Sequence, residues 1–114
     1  MEFIVSENPR LIDGLWHLVG RCSSTVIKGE RFTQCVPYEV TRNEANETVT
    51  RYGAPRIVEL TVEKIIAYRH EFDSLDPGMT ALLLVSGDAS LVTGQTVLNT
   101  GWHGGDVRPL RRSD

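Results

Sequence analysis

Apolar and polar residues alternate along most of this chain. The alternation is punctuated about every ten residues by Gly, Pro, Asn, Asp or Ser. That rhythm predicts short strands joined by turns. Phe3-Ile4-Val5 reads as a first strand, ended by Asn8-Pro9. Leu15 to Cys22 is a second, broken by Ser23-Ser24. Thr25-Val26-Ile27 is short, and Lys28-Gly29-Glu30 makes a tight turn because Gly accepts positive φ. Arg31 to Val36 resumes as strand until Pro37, which lacks an N–H, interrupts it.

Residues Thr41 to Thr50 hold charge and Asn with few apolar anchors, so they read as a loop or as a hairpin with a mobile tip. Gly53-Ala54-Pro55 is a further break. Ile57 to Phe72 is the longest uninterrupted run. Val58, Leu60 and Val62 alternate with Glu59, Thr61 and Glu63. The pattern then slips at Ile65-Ile66 and resumes at Tyr68, His70 and Phe72, as a β-bulge would make it do. A helix over Val62–Phe72 is the competing reading. Asp73 to Gly78 is a turn, Met79 to Val85 an apolar strand in mid-sheet, and Leu91 to Gln95 a turn into Thr96-Val97-Leu98. The expectation is an all-β fold, a small closed antiparallel β-barrel. It occupies residues 1–101 as one domain, with 102–114 a loosely ordered tail.

Composition narrows the function classes. The 114 residues are 40% hydrophobic and 24% charged, with a formal net charge of −3. Such a balance gives no bulk attraction to nucleic acid or to an anionic membrane. No apolar run is long enough for a membrane-spanning helix, and MEFIVSENPR lacks the basic and apolar regions of a signal peptide. The expected location is cytoplasmic, with no membrane partner. Cys22 and Cys35 lack metal or redox spacing and read as buried thiols.

The stretches "LVGRCSSTVIKGERFT", "IIAYRHEFDSLDPG", "MTALLLVSG" and "DASLVTGQTVL" together resemble the second domain of translation GTPases of the elongation factor Tu type, which is a closed β-barrel. Gly20, Arg21, Ile27 and Gly29 match the family's early hairpin. The resemblance covers most of residues 10 to 100 and implies a translation-protein barrel standing without its GTPase domain. No Gly-x-x-x-x-Gly-Lys-Ser/Thr phosphate loop is present, so this chain alone is not expected to bind GTP. In the family this domain helps hold the end of aminoacyl-tRNA. An acidic residue used there falls on Ile66, whereas a basic neighbour is matched by Arg69, and Asp13-Gly14-Leu15-Trp16 replaces the family's glycine-rich turn.

Candidate chemistry is sparse. Alternation along the long strand places Tyr68 and His70 on one face and Arg69 on the other. Tyr68 offers a stacking ring and Arg69 a phosphate contact. Trp102, followed by Arg108, Arg111 and Arg112, offers an aromatic and basic anchor for a partner. His17, His70 and His103 have no companions at ligand spacing, and Glu71, Asp73 and Asp76 read as solvated turn carboxylates. No catalytic, metal or cofactor site is expected. The chain reads as a non-catalytic binding module for a protein partner. The alternatives are an RNA- or ribosome-contacting module and a small enzyme using the barrel mouth. The oligomeric state is left open.

Overall fold

A computed structural model describes residues 1–100, and they form β-strands and turns throughout. Eleven strands follow in order: β1 (Glu2–Val5), β2 (Arg10–Ile12), β3 (Leu15–Cys22), β4 (Val26–Ile27), β5 (Arg31–Arg42), β6 (Thr48–Tyr52), β7 (Arg56–Ala67), β8 (His70–Phe72), β9 (Ser74–Leu75), β10 (Thr80–Gly87) and β11 (Thr96–Asn99). The all-β expectation holds, and Val62–Phe72 is not a helix. The proposed tail, 102–114, lies outside the described residues.

Hydrogen-bonded neighbours run β5–β11–β1–β3–β10–β7, and β7 meets β5 again. Every pairing with a register is antiparallel. The strands thus make a ring, but the ring is not a closed barrel, and the closed-barrel expectation is corrected here. The seam shows the physical reason. β7 pairs only with Arg31–Cys35 of the twelve-residue β5, and the register shifts between Phe32 and Gln34. Beyond Cys35 β5 loses β7, keeps β11 as far as Pro37, and from Tyr38 onward pairs with β6 instead.

β6 and β7 in fact follow one edge of β5 in succession. Three steps along β5, from Tyr38 to Cys35, face four along the other side, from Tyr52 to Arg56. Two more steps, from Gln34 to Phe32, face three, from Ile57 to Leu60. Each extra residue is a bulge-like insertion that bends the ribbon. The outer part of this ribbon is an arm that leaves the ring.

The core sits inside the ring. Phe3, Val5, Leu18, Phe32, Leu60, Val62, Ile65, Leu83, Val85 and Leu98 are all fully buried in one cluster. Their spacing is the period of two that puts alternate side chains on one sheet face. β1 crosses β3 so closely that a Cβ on Gly20 would collide with the Ile4 carbonyl. The slip in β7 is real and lies just before the expected place. Leu84 pairs with Lys64 and Val85 with Val62, so Glu63 is the extra residue.

Two local expectations change, and for residues 41–50 the hairpin alternative is the one found. β5 runs through Pro37 without interruption. Pro37 supplies one bond of a hydrogen-bonded pair, its carbonyl accepting from Gly53 N at 2.7 Å, and the N–H it lacks falls at the end of the β6 ladder. Residues 41–50 form strand, turn and strand. The long run ends at Ala67, where Tyr68 and Arg69 are the two central residues of a hairpin turn closing on His70.

Candidate interaction surface

The arm begins where β5 passes Pro37. Tyr38 pairs with Tyr52, Glu39 with Arg51, Val40 with Thr50, Thr41 with Val49 and Arg42 with Thr48. Alternation puts Tyr38, Val40, Arg42, Thr48, Thr50 and Tyr52 on one face, and Glu39, Thr41, Val49 and Arg51 on the other. The first face is aromatic and hydroxylic with Arg42 at its tip end, and the second carries a cross-strand pair of opposite charge.

The tip is closed by its own polar groups. Asn46 takes positive φ (63°), which Asn tolerates. Asn43 N donates to the Glu47 carbonyl at 3.0 Å, and Glu47 N to Asn43 Oδ1 at 2.9 Å. Arg42 Nη1 donates to both the carbonyl and Oδ1 of Asn46, at 3.1 and 3.2 Å. At the base, a Cβ on Gly53 would meet Pro37 Cγ at 2.9 Å, so the absence of a side chain lets the two strands close there.

Pro37, Tyr38, Glu39, Arg51, Tyr52 and Gly53 line an open groove of about 420 Å³ at this base. The Tyr38 and Tyr52 rings lie 6.3 Å apart between centroids and are tilted by 52°. That separation suits an edge-to-face pair and leaves ring surface available to a ligand. Tyr52 is 66% exposed and Val40 47%. The groove thus brings together two aromatic residues and one charge of each sign.

Of the residues singled out from the sequence, Tyr68 and Arg69 lie elsewhere. Tyr68 and Arg69 have φ of 52° and 64°, the left-handed pair of a two-residue type I′ turn. They therefore do not alternate along a strand as expected. Tyr68 is 75% exposed, and the turn is separate from the groove residues. Trp102, Arg108, Arg111 and Arg112 lie outside the described residues. Glu71 is engaged by Lys28 Nζ at 3.5 Å. The Asp76 carbonyl accepts from the Cys22 thiol at 2.8 Å.

Cys22 and Cys35 are free and buried. Burial pushes the Cys35 thiol above its ordinary range, and the Arg56 guanidinium opposes that shift. It is consequently a poor nucleophile near neutral pH. Among the described residues, no group of three or more His, Cys, Asp and Glu gathers to hold a metal ion. Among the same residues, no helix is long and apolar enough to cross a membrane.

The sequence did hold one signal for the arm. Asn43 through Asn46 sits between β-branched residues, a turn composition inside a strand composition. The groove had none, because Tyr38 and Tyr52 become neighbours only through the register of β5 and β6. Comparisons with protein-family models, with curated proteins and with solved structures returned no match. The expected kinship with the second domain of elongation factor Tu-type GTPases is thus overturned, since the ring of strands also lacks that domain's closure.

Proposed function

We propose that this chain is a non-catalytic interaction module whose working surface is the β5–β6 arm. The observation that supports this is the groove between Tyr38 and Tyr52, set on an arm that places no residue in the core cluster described. Exposed Tyr is costly to leave in water and is enriched where proteins bind one another. A protein partner fits better than an extended acid, because the groove presents Glu39 as well as Arg51.

The test compares partners captured by the immobilised wild-type chain and by Tyr52→Ser, with and without RNase. The expected result is protein capture that survives RNase and is lost in Tyr52→Ser. Capture that Tyr52→Ser leaves intact would overturn the assignment of the arm. Capture that vanishes with RNase and weakens in Arg69→Ala would place an RNA contact at the Tyr68–Arg69 turn instead.

A further inference from the structure

β6 is an edge strand whose hydrogen-bonding groups can be assigned. Gly53 N donates to the Pro37 carbonyl, and Asn43 N donates to the Glu47 carbonyl. Hydrogen-bonded pairs alternate along an antiparallel ladder, so Val49 and Arg51 turn their backbone groups toward β5. The N–H and C=O of Thr48, Thr50 and Tyr52 therefore point away from the hairpin. Among the described residues, no strand pairs with that edge.

Natural edges are usually blunted by shortness, by Lys or Pro, or by a bulge. Among the other open edges described, β2 and β8 are three residues each with Pro9 before β2, β4 and β9 are two residues each, and Tyr38–Arg42 of β5, which runs on past its pairing with β11, carries two charges. β6 has five residues, Thr-Val-Thr-Arg-Tyr, with one charge and no Pro. Its single charge leaves it less blunted than the outer half of β5, and its residue types favour pairing.

We infer that the occupant of this edge is β6 of a second copy of the chain, paired antiparallel about Thr50. This deepens the arm assignment above and rests on it. In that register Thr50 faces Thr50 of the second copy, and Thr48 faces Tyr52. All three residues with outward backbone groups meet residues with outward groups, so the ladder is complete in both directions. Thr–Thr pairs are favourable across strands. The exposed Val40 and Tyr52 sit on the face that the second arm extends, so Tyr52 packs beside Thr48 of the other copy.

The charges agree with this occupant. Arg51 faces Val49 of the second copy, so no like charges stand directly opposite. The tip acids Glu44 and Glu47 are carried toward the other copy's base, where Arg51 and Arg56 lie. The contact is isologous and uses the same edge from both copies, so it closes at two.

Sedimentation of the full chain over a concentration series tests this, beside Thr50→Lys and Thr50→Cys. The wild type is expected to dimerise as concentration rises. Thr50→Lys, which sets two ammonium groups face to face, is expected to stay monomeric with an unchanged far-ultraviolet spectrum. Thr50→Cys is expected to give a disulfide-linked dimer under mild oxidation, which decides the matter if the Lys variant does not fold. A wild type that remains monomeric throughout, or a dimer that Thr50→Lys leaves intact and Thr50→Cys does not trap, overturns the self-pairing. A monomer that still loses its protein capture in Tyr52→Ser would overturn only the self-pairing and leave the arm as a surface for a different protein.

Discussion

β5 is one strand with two characters. Between Arg31 and Val36 it belongs to the ring, and Phe32, Cys35 and Val36 are buried. Between Tyr38 and Arg42 it belongs to the arm, where Val40 is half exposed and no second layer covers either face. Both halves carry β-favouring residues. What separates them is whether another sheet face lies opposite, and that depends on the whole ring rather than on β5. The inner half is thus constrained by packing, and the outer half is free to be shaped by a partner.

The contrast can be broken at its strongest point first. Phe32→Ala removes a fully buried ring from the core and is expected to cost about 3–5 kcal/mol in urea unfolding. A loss no larger than that of an arm variant would erase the distinction between the halves. Gly53→Ala comes next. Its Cβ would press on Pro37 at the junction, for an expected cost of about 1–2 kcal/mol. Amide exchange is expected to quicken in β6 while β3 and β10 keep their protection. Equal loosening of ring and arm would mean that they open as one unit. Val40→Thr is the smallest, within about 0.5 kcal/mol, because the site is already wet. A larger loss would show that Val40 packs against something in solution.

Much of the ring was legible in the sequence, and two turns show where legibility stops. Asp13-Gly14 and Tyr68-Arg69 both close two-residue hairpins with two positive φ values. Asp-Gly is the residue pair such a turn favours. The hairpin it makes, between β2 and β3, is nevertheless hard to see in the sequence, because Asn8-Pro9 is itself a break and β2 has only Leu11 and Ile12 as apolar residues. Tyr-Arg carries no turn signal at all. Both side chains pay a left-handed penalty of roughly 1–2 kcal/mol each, so alternation ran straight through them. The slip at Glu63 was visible as a change of phase. Pro37 misleads for a physical reason: the rule against Pro in strands concerns its missing N–H, and here that loss is a single bond at the end of the β6 ladder, with the carbonyl still bonded to Gly53 N. The groove was hidden because it is a product of register.

Finally, Glu2 to Val5 lie beside Thr96 to Asn99, so the first of the described strands takes one of its two neighbours from the last of them. During synthesis at about 5–20 residues per second, that side of β1 waits roughly 5–20 s for its partner to be made. The separation also raises the mean contact order, which places the closing step among the slower, millisecond-to-second folders. Until β11 arrives, the nascent chain has an apolar edge open to mispairing, and the order of synthesis makes that interval unavoidable.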